Sequence, residues 1–82
     1  MTMTLHSLAA LIATIAARCT EPCTFEMLAE EVLELHLAER GKHPDTPAME
    51  WLEIATIAIR ALAAQPEGAV VDAVADWQKR HG

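Results

Sequence analysis

Apolar residues along this chain recur at helical spacing. Leu5, Leu8, Ile12, Ile15 and Cys19 are separated by 3, 4, 3 and 4 positions, which places them on one stripe of a helix over about residues 4–19. Thr20-Glu21-Pro22 then breaks the pattern, because proline fits only the first turn of a following helix, with Thr20 or Thr24 able to cap it. The same spacing resumes at Phe25, Leu28, Val32 and Leu35, so a second helix is expected over about 22–40, stopped by Gly41. After the loop Gly41 to Asp45, Thr46-Pro47 is a strong start signal, with Thr as N-cap and Pro in the first turn of a third helix over 47–65. That helix is apolar nearly all round from Trp51 to Ala64, which predicts the most buried element, with Trp51 a core or interface anchor. Beyond Pro66-Glu67-Gly68, Val70, Val71, Val74 and Trp77 mark a short fourth helix over 67–80. Its acids Asp72 and Asp76 lie on the outer face and Lys79-Arg80 at its end. Four helices joined by short connections predict an all-α, antiparallel bundle-like single domain over residues 1–82.

Composition narrows this picture. The chain has 82 residues, 52% of them hydrophobic, so it can form a core, yet it is small enough that a homodimer or homotetramer is expected. Twelve Asp and Glu against six Lys and Arg give a net charge of −6, which argues against a nucleic-acid backbone or an anionic membrane as partner. The apolar run Leu8 to Ala17 is about half the ~20 residues a bilayer span needs. No Lys or Arg precedes it as a leader would require, and a cytoplasmic protein is expected. Cys19 and Cys23 lack the spacing and number of a zinc site, leaving reduced thiols or, in an oxidising compartment, a small local disulfide.

The placement of the acids carries the chemistry. Glu31 and Glu34 are i,i+3 neighbours on the second helix, with Glu30 i,i+4 to Glu34, and Glu50 and Glu53 repeat the i,i+3 relation on the third. Like charges at that spacing destabilise a helix unless water or a cation offsets them. Glu53, between Leu52 and Ile54, is expected on a buried surface, where an unpaired carboxylate is costly. Two facing pairs would supply four oxygen donors of the type Mg²⁺ or Mn²⁺ takes. Without the five glutamates seven acids face six bases, so the charge is local.

These residues resemble a known family. The run Leu28-Ala29-Glu30-Glu31-Val32-Leu33-Glu34-Leu35, followed by Glu50-Trp51-Leu52-Glu53-Ile54-Ala55, is similar to the Glu-Glu-x-x-Glu and Glu-x-x-Asp signature of the MazG-like all-α nucleoside triphosphate pyrophosphohydrolases. The resemblance covers about Phe25 to Ala64, with Glu53 where the signature has Asp. It implies that Glu31, Glu34, Glu50 and Glu53 hold Mg²⁺, with Glu30 as the acid left to accept a proton. The implied reaction converts an NTP or dNTP to the monophosphate and pyrophosphate. Phosphate-binding cations are scarce: Arg60, seven residues after Glu53, is the internal candidate. Lys42, Lys79 and Arg80 could reach the site only from loop, terminus or another subunit, and His43 in the loop could approach either the metal or the nucleotide. His36 falls on a different face from Glu34 and is expected at the surface or an interface. The competing expectation is a non-catalytic acidic helical protein, such as a phage-encoded inhibitor, whose partner is a host protein or defence complex. Convergent motif glutamates favour the enzyme, and acids spread over exposed faces the binder.

Overall fold

The computed structural model describes residues 3–82, which form four α-helices: α1 (Leu5–Ala17), α2 (Phe25–Glu39), α3 (Pro47–Ala63) and α4 (Glu67–His81). Among the described residues there is no strand, and no single helix is long and apolar enough to cross a membrane. The first three helices start in the same way. Thr4, Thr24 and Thr46 sit in extended backbone, and each hydroxyl accepts the amide three residues on, from Ser7 at 3.0 Å, Met27 at 3.2 Å and Met49 at 3.2 Å. Each thus satisfies an amide that the helix itself leaves unpaired. Thr24 is the cap of α2, so that helix begins three residues later than expected and Pro22 lies in the connection before it.

The end of α2 is equally defined. Gly41 has φ +69°, its amide donates to Ala38 O at 3.0 Å, and the Lys42 amide donates to Leu37 O at 2.9 Å. This is a Schellman ending, which needs a left-handed residue just beyond the helix.

Helix α3 carries both principal helix–helix interfaces, one with α2 and one with α1. Leu8 and Ile12 line a groove with Ala48 and Ala55, whereas Ala16 and Cys19 lie near Ala63, so α1 runs parallel to α3. Met27 lies near Ile57 while Glu34 approaches Glu50 through His43, so α2 runs antiparallel to it. The buried apolar residues are few: Ile12 and Ala16 from α1, Leu35 and Ala38 from α2, and Ile57 from α3. On α1 the inward pair is therefore Ile12 and Ala16, one turn apart. The ends of the expected stripe turn outward, with Leu5 85% exposed. On α3, Trp51 is 56% exposed rather than a core anchor. An all-round apolar helix gives no cue to its orientation, and here its neighbours on two sides leave that ring facing outward.

Helix α4 departs further from a bundle. It leaves α3 with a 118° change of direction across Ala64–Pro66. None of its residues is buried, and only Val70 is even half-covered.

Gly41→Ala should lower stability by about 1 kcal/mol, because no atom lies within 4 Å of an added Cβ but the left-handed backbone opposes it. For a chain of this size that is a fall of roughly 4–8 °C in Tm by calorimetry. A neutral result would mean that the Schellman ending does not form.

Candidate metal centre between two helices

The acid pairs lie on the inward stripes of the two antiparallel helices. On α2, Glu31 and Glu34 stand one turn before the buried Leu35 and Ala38, and on α3, Glu50 stands two turns before the buried Ile57. The fold therefore drives these carboxylates toward each other, and the Glu31 carboxyl meets those of Glu34 and Glu50, with Glu53 close enough to act on it through its charge. Glu50 is the one large side chain below 2% exposure among the described residues, at 1%. Glu53, expected to be buried, is exposed at the edge of the site. The i,i+3 spacing was sound, but α3 is turned so that its first acid rather than its second faces α2.

Two buried oxygens, Glu31 Oε2 and Glu50 Oε2, have no hydrogen-bond partner. Leaving such atoms unpaired is costly, and in native structures they commonly mark a place where an ion, water or proton acts. Burial, first, pushes the Glu31 carboxyl up to about 8 from 4.5. Hydrogen bonding with the carboxyls of Glu50 and Glu34 and the negative charges of Glu34 and Glu53 add to the shift. In the absence of a cation, a shared proton is what allows this many acids to meet.

The loop supplies a further group. His43 Nε2 lies 3.8 Å from Glu34 Oε1, and Nδ1 lies 3.6 Å from Glu50 Oε1. One donor atom from each of Glu34, His43 and Glu50 falls within 4.8 Å of the others, a group that could hold a metal ion. The Asp45 amide donates to His43 Nδ1 at 3.1 Å, so a neutral ring carries its proton on Nε2, toward Glu34. In this arrangement only the Nε2 proton is turned toward a carboxylate, that of Glu34, and the ring becomes a ligand only if the proton changes nitrogen or Nδ1 gives up the Asp45 amide. His43, expected to approach either the metal or the nucleotide, lies between Glu34 and Glu50. Spacing alone could not choose between those positions, because its reach depends on how the Schellman ending aims the loop.

Beside the carboxylates, a cleft of about 440 Å³ opens between α1, α2 and α3. Glu30, Glu31 and Glu53 line it together with Arg60, and Leu52 and Ile15 contribute apolar wall. Glu30 is exposed there, as an acid outside the buried set. The Arg60 guanidinium donates to the Glu21 carbonyl, tying α3 to the α1–α2 connection. Lys42 is exposed and does not line the cleft, and Arg80 pairs with Asp76 at 3.0 Å on α4. Cys19 and Cys23 are free thiols. No family model, curated protein or solved structure matches the chain.

The raised Glu31 value sets a pH dependence. A carboxyl whose folded pKa lies above its unfolded one stabilises the fold fully below about 4.5 and loses that contribution as pH rises through about 8. In chelator, the Tm should fall between pH 6.5 and 9, and Glu31→Gln, which mimics the protonated form, should flatten that fall. An unchanged slope in the variant would show that Glu31 does not hold the proton.

Proposed function

We propose that the chain is a divalent-cation-dependent nucleoside triphosphate pyrophosphohydrolase, with Glu31, Glu34, Glu50 and Glu53 as the cation's ligands. The observation that carries this reading is the pair of buried, unpartnered oxygens on Glu31 and Glu50, beside a cleft whose lining includes Arg60. The carboxylates of Glu31, Glu34 and Glu50 meeting across two helices, with Glu53 at the edge, offer hard oxygen donors of the kind Mg²⁺ or Mn²⁺ takes. When bound, the cation offsets phosphate charge and makes water a better nucleophile.

The chain's own residues then have distinct tasks. Arg60 has guanidinium donors beyond the one used on Glu21, and these bind phosphate oxygens in the cleft. Glu30, exposed on the same wall, accepts the proton of the attacking water as the new oxygen–phosphorus bond forms at the α-phosphorus. The bond from that phosphorus to the α,β-bridging oxygen breaks, giving a nucleoside monophosphate and pyrophosphate. His43 turns its Nε2 proton toward Glu34, and Lys42 meets the triphosphate only if the loop brings it over the cleft.

One observation favours a second reading, a non-catalytic acidic binding protein that blocks a host protein or defence complex. Arg60 is the one Lys or Arg in the cleft lining, and part of its donor capacity is committed to the Glu21 carbonyl. A triphosphate is usually gripped by more positive charge than that.

Pyrophosphate release from a panel of NTPs and dNTPs with Mg²⁺ or Mn²⁺ separates the two. The enzyme reading expects release, and Glu31→Gln should reduce it at least by the roughly 10–100-fold that disturbing a metal site's supporting residues costs. It also expects a cation-dependent rise in Tm that grows with pH, as the cation displaces the shared proton. No release with any nucleotide, together with a Tm indifferent to cation, defeats it.

A further inference from the structure

The protomer exposes far more surface than a molecule of its size should. A folded monomer of 8.9 kDa ordinarily exposes about 4,800 Å², whereas this one exposes 6657 Å². Its radius of gyration, 14.6 Å, likewise exceeds the roughly 12 Å of a globule of this length. The surplus is about 1,800 Å² per copy, within the range that each partner contributes to an obligate dimer.

Two apolar features account for much of it, and they differ in shape. Helix α4 presents a projecting stripe, Val70, Val71, Val74 and Trp77, with Trp77 62% exposed and its ring stacked on His81. The other feature is concave, an almost wholly apolar groove of about 460 Å³ between the N-terminal halves of α1 and α3. It is lined by Leu8, Ile12, Ala48, Trp51, Leu52 and Ala55. Positions i, i+4 and i+7 of an amphipathic helix are the usual anchors for such a groove. Within one chain they do not meet, since α4 leaves α3 at 118° and buries no residue.

We propose that α4 of one copy lies in the α1–α3 groove of a second copy, and the reverse, forming a two-fold dimer. The surplus area and the presence of a projecting and a concave apolar feature on one chain point to a second copy as the occupant, and charge permits it. Two chains of net charge −6 repel each other unless their contact avoids the acids. The groove meets that condition: α1 contains no Asp, Glu, Lys or Arg, and no residue lining the groove is charged. On α4 the acids Asp72 and Asp76 lie on the side of the helix away from the stripe, and Asp76 pairs with Arg80. A reciprocal exchange also covers both features on both chains, as an isologous interface requires, whereas a partner seated only in the groove would leave α4 bare. This arrangement does not depend on the pyrophosphohydrolase reading.

Sedimentation of the full chain should give twice the mass of one copy. Val74→Asp should raise the dissociation constant by about 30-fold or more, as loss of a central interface anchor does. Because α4 packs on nothing in its own copy, this variant should keep its helical circular dichroism. To fix the pairing, Val74→Cys and Ala55→Cys chains are mixed, both in a Cys19→Ser, Cys23→Ser background, and oxidised. A disulfide joining the two different chains is expected. A monomer at all concentrations, a dimer indifferent to Val74→Asp, or failure of the mixed chains to cross-link overturns the proposal. Each of these outcomes is independent of whether pyrophosphate is released.

Discussion

Glu50 is buried where the two antiparallel helices meet, and a carboxylate in that position is tolerable only if something else supplies a proton or a cation. Much of the site follows from that requirement. Glu31 is driven against Glu50 by the same packing that buries Leu35 and Ile57, so core and site share one interface and neither can change alone. His43 reaches from the loop to lie by Glu34 and Glu50, and the Asp45 amide fixes which ring nitrogen carries the proton of a neutral ring. The cost is borne by a core of only five buried apolar side chains, which leaves little stability in reserve.

Helix α3 is the element on which both α1 and α2 are mounted, and Arg60 extends its hold to the connection between them. The strap joins the α1–α2 connection to α3 at the wall of the cleft, and it places the cleft's positive charge on a side chain already anchored at one end.

Most of the fold was legible in the sequence because its signals are local. Thr46-Pro47 marked the start of α3 to the residue, Gly41 marked the end of α2 to within one, and the stripe of α4 was correctly assigned to a helix. The approach of the α2 acids to an acid of α3 also followed from spacing, although Glu50 and not Glu53 is the one that faces inward. What spacing could not reveal was rotation. With apolar residues nearly all round α3, nothing in the chain distinguished a buried Glu50 from a buried Glu53, and only packing against α2 decided it. The same indifference placed Trp51 outward. Position in space was hidden too: His43 depends on the loop's path, and α4 turns away from its own chain and buries none of its residues.

The three threonine caps have a kinetic meaning as well. Each of the first three helices is delimited by a contact reaching only three residues, so its start is specified before any tertiary contact exists. Helices defined in this way form in about a microsecond or less, and chains dominated by such local contacts fold within microseconds to milliseconds. The sequence-distant step is the closing of α2 onto α3 around the carboxylates, where like charges must approach before they can share a proton. In a chain built from fast local pieces, the closing of the acid cluster is thus the step that local signals do not prepare, and the raised Glu31 carboxyl ties it to pH.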